Sequence, residues 1–321
     1  ETKSKTVIWG CWKSIIPNDG SAIAIAKHAF GGMCPVISDK IIDIREQAIE
    51  NDADGPEKID VADSNKKYHS NGNCLIENES KTLILGCKNS IIPSDGSVTS
   101  IGNYAFWNCG GLKNIIIPDN VISIGDRVFE HCSGLEKIAV ASNNPTYHSN
   151  GNCLIKTESK TLILGCKNSV VPTNGSVTKI GDYAFCGCEG LIRITIPIGI
   201  TTIEEFAFCD CFSLMQLSIP DGVSFIGEGA FQCCGKLTKI ILPNGLTSIC
   251  NQTFAYSGLT NITVSSNIKA IGAYAFSGCD KLTDIKFVGT IDQWNSIDKG
   301  TDYLKDSAVK AILCSDGIIN V

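Results

Sequence analysis

The stretch IGDYAFCGCEGLIRITIP, residues 180–197, contains the pattern that decides the fold. It begins with an isoleucine, three variable residues and an Ala-Phe pair, and a cysteine follows three residues after the phenylalanine. A leucine then opens a second segment, in which apolar residues lie three and five positions further on. A proline ends this segment, as is usual where a strand stops pairing. Most of the chain repeats this arrangement.

The first half of the pattern recurs with a period near 23 residues. Its phenylalanines are Phe106, Phe129, Phe185, Phe208, Phe231, Phe254 and Phe276, at steps of 23, 56, 23, 23, 23 and 22 residues. Such a period is typical of a solenoid, in which each unit buries its apolar face against its neighbours. Within a unit, Ile101, Ala105, Phe106 and Cys109 would lie on one face of a helix of about two turns.

The second half of the pattern predicts a β-strand. Segments such as LKNIIIP, LIRITIP and LTKIILP match the L-x-x-L-x-L core of a leucine-rich repeat, whose strands stack into a parallel sheet. We therefore predict an α/β solenoid, a leucine-rich repeat of about 23 residues with a parallel concave β-sheet and short convex helices. One continuous solenoid would span residues 1–321, with a C-terminal cap at about residues 288–321.

A longer block explains the 56-residue step. NGNCLIENESKTLILGCKNS, residues 71–90, returns as NGNCLIKTESKTLILGCKNS at residues 150–169. Asn-Gly is a strong hairpin signal, and the segments CLI and TLIL flank a polar turn. We predict inserted β-hairpin blocks near residues 68–90 and 147–169. Because residues 4–17 align with residues 80–93, we also expect the chain to begin inside a unit.

Composition excludes two classes of function. The chain has 33 acidic and 27 basic residues, a net charge of -6 and no Lys/Arg block, so we expect no nucleic-acid partner. No apolar run approaches the roughly 18 residues of a membrane span, so we expect no membrane insertion by this chain. The first residues lack the basic and apolar regions of a signal peptide.

Two quoted units, LTKIILPNGLTSICNQTFAYSG and IGDRVFEHCSGLEKI, resemble the BspA-type leucine-rich repeats of bacterial surface proteins. The resemblance covers essentially the whole chain: NGNCLIKTESKTLILGC resembles an inserted hairpin of that family, and FVGTIDQWNSIDKG its terminal cap. It implies a secreted or cell-surface solenoid associated with adhesion and host contact. It also implies an extracellular or cell-surface location, with signal peptide and anchor outside this chain, and no enzymatic activity.

The 17 cysteines raise the question of disulfides and metals. Six share one inward position and would stack about 4.8 Å apart, a spacing that favours buried thiols over disulfides, which need Cβ atoms at about 3.8 Å. These six are Cys109, Cys132, Cys188, Cys211, Cys234 and Cys279. Four other cysteines differ in the direction that they face, so cysteines of neighbouring units could form disulfides. These four are Cys186, Cys209, Cys233 and Cys250.

A zinc site is the alternative interpretation of these residues. It would use Cys186 with Cys188, Cys209 with Cys211, or the hairpin pairs His69 with Cys74 and His148 with Cys153. Structural zinc sites more often have two to four residues between paired cysteines, so we expect no metal and no cofactor. With only four histidines and no nucleophile, base and orienting group that can be named together, we expect no enzyme.

The candidate ligand-binding surface is the concave sheet, because residues between the inward leucines and isoleucines project outward. One outward column is Asn114, Lys137, Arg193, Gln216, Lys239, Asn261 and Asp284. The next is Ile116, Ala139, Thr195, Ser218, Ile241, Thr263 and Lys286. Curved repeat sheets commonly bind partners, although solvent-facing strand positions are polar in any case.

These observations predict a noncatalytic binding or adhesion module that acts as a monomer. Its partner would be a host or other extracellular protein or glycan, bound through the repeat surface. A first alternative is a rigid structural stalk that displays another domain. A second is a thiol-rich redox or metal-buffering protein.

Overall fold

The computed structural model describes residues 5–7, 19–27, 29–31, 36–50 and 56–321. These residues form two compact units, Glu1–Ser149 and Asn150–Val321. The expected start inside a unit, at residues 4–17, falls mainly outside the described residues. No helix in the described part of the chain is long and apolar enough to cross a bilayer.

Short strands make up almost all of the regular structure. The first unit contains Thr6–Val7, Ala24–Ile25, Phe30–Gly31, Asp43–Ile44, Ile49–Glu50, Tyr68–Asn71, Cys74–Glu77, Thr82–Leu85, Ser100–Ile101, Asn114–Ile117, Ser123–Ile124 and Lys137–Val140. The strand Tyr147–Asn150 contains the boundary. The second unit contains Cys153–Lys156, Thr161–Leu164, Lys179–Ile180, Arg193–Thr195, Thr202–Ile203, Gln216–Ser218, Phe225–Ile226, Lys239–Ile241, Ser248–Ile249, Asn261–Val264, Ala270–Ile271, Asp284–Phe287, the helix Ile291–Asn295, Asp298–Lys299, Ala311–Cys314 and Gly317–Asn320.

Between residues 179 and 287, a longer strand alternates with a two-residue strand, and each kind stacks in parallel on its own kind. Among the longer strands, Arg193 pairs with Gln216, one repeat further along the chain. Among the short strands, Lys179 pairs with Thr202 at the same offset. The predicted parallel sheet is therefore confirmed, and the structure adds a second, narrower parallel sheet that the sequence analysis did not predict.

Antiparallel strands lie in the block near residues 68–90, where the sequence predicts an inserted hairpin. Tyr68–Asn71 pairs antiparallel with Cys74–Glu77, and the connecting Gly72 and Asn73 both have a φ of 57°, as in a type I′ turn. Cys74–Glu77 then pairs antiparallel with Thr82–Leu85. Thr82 lies in parallel register with Ser100, so the insertion rejoins the narrow sheet.

The predicted short convex helices are wrong. Tyr104 and Asn108 have left-handed φ angles of 58° and 55°, whereas a helix needs right-handed values at every residue. Their N–H groups do not bond four residues back: Tyr104 donates to the Asp126 carbonyl at 3.0 Å and Asn108 to the Glu130 carbonyl at 2.8 Å. The segment is a run of turns whose hydrogen bonds join it to the next repeat.

The residues predicted to face inward do form the core. Ile101, Ala105 and Phe106 are each 0% exposed. In the second unit, five phenylalanine rings stack nearly parallel with centroids 5.0 to 5.7 Å apart: Phe185, Phe208, Phe231, Phe254 and Phe276. The stack begins at Gly165, where an added Cβ would lie 1.9 Å from Phe185 Cε1. Glycine is required there by the close approach of the ring.

Helix and antiparallel strand occur together after residue 287. The helix Ile291–Asn295 begins at Thr290, which forms a reciprocal capping box with Gln293. Trp294 is 3% exposed and packs edge-on against Phe287 with ring centroids 5.2 Å apart. The final strand, Gly317–Asn320, pairs antiparallel with Ala311–Cys314. These elements lie in the segment where the sequence predicts a cap.

Candidate functional site

The longer strands of the second unit place three residues of the predicted column side by side. Arg193, Gln216 and Lys239 lie on successive strands and are all exposed, while the intervening Ile194 and Ile240 are buried. This alternation follows from the two-residue period of a β-strand. Because neighbouring strands lie about 4.8 Å apart, the two cations are separated by roughly 10 Å across the Gln216 strand.

The other predicted residues occupy different surroundings. In the first unit, Asn114 pairs with Lys137, and both are exposed. In the second unit, Asn261 pairs with Lys239, but its side-chain amide donates to Thr260 Oγ1 at 3.0 Å. Asp284 is partly buried and accepts a hydrogen bond from Thr283 Oγ1 at 2.9 Å. The side chains of Asn261 and Asp284 are therefore already engaged locally.

A groove with a volume of about 880 Å³ runs over the strands at residues 193–195, 216–218 and 239–241. The two cations Arg193 and Lys239 line it, together with Gln216, Thr195 and Ser218 from the predicted columns. Met215 and Ile241 add apolar surface, at 52% and 66% exposure. Polar or charged residues and apolar residues contribute about equally to the lining, so the groove offers charged and hydrogen-bonding groups beside apolar contact.

Met215 and Asp221 are among the groove residues that sequence reasoning missed. Met215 precedes the strand Gln216–Ser218 and Asp221 follows it, so both lie outside the alternation of outward strand positions. Asp221 brings a carboxylate to a groove that otherwise carries two cations. The sequence signal for Asp221 is its position directly after Pro220. A proline marks the end of strand pairing, and the residues that follow it lie at the edge of the groove.

The inward cysteines form hydrogen bonds between repeats. Four of the six thiols donate to the carbonyl of the phenylalanine 25 or 26 residues earlier: Cys132 to Phe106, Cys211 to Phe185, Cys234 to Phe208 and Cys279 to Phe254, at 3.1, 3.1, 3.2 and 3.1 Å. The described cysteines are free thiols. Burial raises the pKa of Cys188 to about 12, and the neighbouring Cys166 adds to the shift. The interior column therefore consists of buried thiols, four of which are hydrogen-bonded to the preceding repeat.

The outward cysteines have polar surroundings. Cys209 Sγ lies 3.5 Å from Asp210 Oδ2 and 3.8 Å from Gln232 Oε1. Burial, followed by the charge of Asp210, raises the pKa of Cys233 to about 12. Cys186 and Cys209 thus face the outer turn, whereas Cys211 faces the core, and neighbouring C-x-C cysteines diverge. The C-x-C chelate considered from the sequence does not form around Cys209 and Cys211.

The histidine side chains with described contacts pair with polar neighbours. His69 Nδ1 hydrogen-bonds with Asn78 Oδ1, and His131 Nε2 lies 3.7 Å from Glu130 Oε1. The hairpin thiol Cys74 is directed at the Gly72 carbonyl, 3.5 Å away. His69 and Cys74 therefore have separate partners, and they do not form the metal-binding pair that was considered as an alternative.

Comparisons with solved structures identify the fold. The chain is similar to a leucine-rich cell-surface protein from Faecalibacterium prausnitzii A2-165, with a TM-score of 0.59 and 21% identity over 86% of each chain. It is equally similar to a leucine-rich repeat protein from Eubacterium ventriosum ATCC 27560, with a TM-score of 0.59 and 21% identity over 84% of each chain. The pneumococcal vaccine antigen PcpA gives a TM-score of 0.50 and 15% identity, over 90% of this chain and 77% of that one.

A comparison with curated proteins found no match. The family model described as the BspA type leucine-rich repeat region matches residues 85–171 and 178–297, in six copies. These ranges include the hydrogen-bonded runs of turns, both parallel sheets and the groove of the second unit. The chain belongs to the BspA-type leucine-rich repeat family.

Proposed function

We propose that this chain is a noncatalytic binding module of a secreted or cell-surface bacterial protein, and that it recognises an extracellular protein or glycan through the groove over residues 193–241. The observation that carries the proposal is the groove itself, where Arg193 and Lys239 flank Gln216 beside the apolar Met215 and Ile241. Names of similar proteins, among them a cell-surface protein, support the location.

The charges of the groove favour an acidic partner. No ion pair of Arg193 or Lys239 occurs among the described residues, so both cations are available to a carboxylate or sulfate group. Arginine binds such groups through two parallel hydrogen bonds, and lysine acts as a point charge. Exposed Met215 and Ile241 supply the apolar contact that a binding surface also needs.

The test is binding of the purified chain to an array of extracellular-matrix proteins and glycans. The double charge reversal Arg193→Glu with Lys239→Glu should abolish selective binding, while Lys236→Glu with Lys281→Glu should leave it unchanged. Lys236 and Lys281 are exposed lysines of the same unit that do not line the groove. Equal loss of binding in the two double variants, or none in either, would contradict the assignment of the groove.

A rigid stalk is the second candidate, and the phenylalanine stack of the second unit favours it. Five rings in continuous contact give this unit one uninterrupted core, as a spacer requires. A chain that binds nothing on the array, while a longer form of the protein binds through another domain, would support this role over the first.

A further inference from the structure

The outer turns of the second unit bring together metal-binding groups from two successive repeats. The Sγ atoms of Cys186 and Cys209 and a carboxylate oxygen of Asp210 all lie within 4.8 Å of one another. Cys186 and Cys209 occupy the same position of successive repeats, one residue after Phe185 and Phe208. Parallel stacking of the turns, not proximity in sequence, therefore assembles the group.

The distances suit a tetrahedral ion with sulfur and oxygen ligands. Zinc binds sulfur at about 2.3 Å and carboxylate oxygen at about 2.0 Å, so tetrahedral geometry separates a sulfur from an oxygen ligand by about 3.5 Å. Cys209 Sγ and Asp210 Oδ2 are 3.5 Å apart. Two sulfur ligands would be about 3.8 Å apart, which lies inside the limit set by the cluster.

The next repeat places a further thiol beside the cluster. Besides burial, the charge and hydrogen bonding of Asp210 and the charge of Cys209 raise the pKa of Cys233, so this thiol lies near the carboxylate. Gln232 places its Oε1 3.8 Å from Cys209 Sγ, and its Nε2 donates to Gln252 Oε1 at 3.1 Å. Such an anchored amide is suited to orienting a ligand from outside the coordination sphere.

Burial distinguishes the two sides of the cluster. Cys186 and Cys209 are 5% and 7% exposed, whereas Asp210 and Cys233 are partly open to solvent. An ion would enter between the carboxylate and the Cys233 thiol and would then lie against the two buried sulfurs. Thiolate ligands select soft or borderline cations such as Zn²⁺ over Ca²⁺ and Mg²⁺, which prefer oxygen.

We propose that Cys186, Cys209 and Asp210 bind one zinc ion, or another soft divalent cation, on the outer turns of two successive repeats, with the fourth coordination position open on the side of Cys233. The site joins these turns to one another in addition to their backbone hydrogen bonds. It lies on the turn segments, separate from the groove over residues 193–241, and does not depend on the function proposed for that groove.

The test uses the whole reduced chain, treated with a chelator and then titrated with Co²⁺ or Zn²⁺ alone. We expect one Co²⁺ per chain, with the near-ultraviolet charge-transfer absorption of thiolate ligands and the visible bands of tetrahedral cobalt, and displacement by Zn²⁺. Cys209→Ser and Asp210→Asn should each weaken binding by at least about tenfold. Asn tolerates the left-handed φ of 55° at position 210, so Asp210→Asn preserves the turn even if Cys209→Ser fails to fold.

Cys314→Ser is the matched control, because Cys314 is a partly exposed free thiol on the strand Ala311–Cys314, outside the cluster. It should bind as the wild type does. Three results would overturn the proposal: no stoichiometric binding by the reduced wild-type chain, unchanged binding in both Cys209→Ser and Asp210→Asn, or equal weakening in Cys314→Ser. If the reduced wild-type chain binds no metal, and peptide mapping of the air-oxidised chain finds a disulfide among Cys186, Cys209 and Cys233, these cysteines form a redox pair instead.

Discussion

The interior column of the second unit and its outer turns contain the same residue type in two different environments. Cys211, in the interior, is fully buried and donates to the Phe185 carbonyl, which belongs to the preceding repeat. Cys209, two residues earlier and 7% exposed, meets a carboxylate and an amide oxygen of the partly exposed Asp210 and Gln232. The comparison teaches that position in the turn, not the cysteine itself, decides whether a thiol stabilises the fold or remains available for chemistry.

The largest expected effect contrasts two phenylalanines of one repeat. Phe208 is 0% exposed and stacks on rings of both neighbouring repeats, whereas Phe212 is 46% exposed. Phe208→Ala should lower the free energy of unfolding by about 3–5 kcal/mol, because it leaves a cavity in the stack. Phe212→Ala should change it by less than about 0.5 kcal/mol. Urea unfolding followed by circular dichroism measures both, and similar losses would mean that the interior column does not dominate stability.

A smaller effect is expected for the two cysteines themselves, measured with chelator present. Cys211→Ala removes the hydrogen bond from this thiol to the Phe185 carbonyl, which keeps its bond from the Cys188 N–H, so the expected cost is about 0.5–1.5 kcal/mol. Cys209→Ala should cost less, since its partners Asp210 and Gln232 reach solvent. Cys211→Ser should recover part of the loss, because Ser257 occupies this position in another repeat and lies 3.4 Å from Cys279 Sγ. A larger loss in Cys209→Ala would contradict the comparison.

The smallest effect is a dependence of stability on alkaline pH. Burial raises the pKa of the Cys109 and Cys188 thiols to about 12, above the ordinary value of 9.0. Between these two values the folded chain keeps protons that the unfolded chain loses, so the free energy of unfolding falls as pH rises. The contribution is fully present below about pH 8.5. Cys188→Ser should reduce the slope of the urea midpoint between pH 9 and 10.5, and an unchanged slope would argue against buried, protonated thiols.

The repeat pattern predicts the parallel sheet and the inward residues because both follow from spacing. Leu191, Ile194 and Phe185 recur at fixed offsets, and all three are buried. The helix prediction failed because the offsets that place Ile101, Ala105 and Phe106 on one face are also those of a turn with two left-handed residues. Nothing in the identity of Tyr104 or Phe206 indicates a positive φ, which asparagine or glycine would have suggested.

The candidate sites differ in how far the sequence reveals them. The column of Arg193, Gln216 and Lys239 follows from strand alternation, but the groove around it also depends on residues that flank the strands. The metal-ligand cluster was obscured because cysteines two residues apart were considered as a pair. Cys186 and Cys209 are 23 residues apart, which is one period, and residues one period apart are the ones that stacking brings into contact.

Because each repeat pairs in register with the next, the length of this solenoid can change by whole repeats. Arg193 pairs with Gln216, and Thr202 with Phe225, so deleting one whole period would return each later residue to an equivalent position. A deletion of one residue inside a strand would turn the apolar side chains that follow it in that strand outward. The hairpin blocks avoid this restriction because Thr161 re-enters in register with Lys179 after the extra strands. Those hairpins are therefore suitable sites for inserting a displayed peptide without changing the number of repeats.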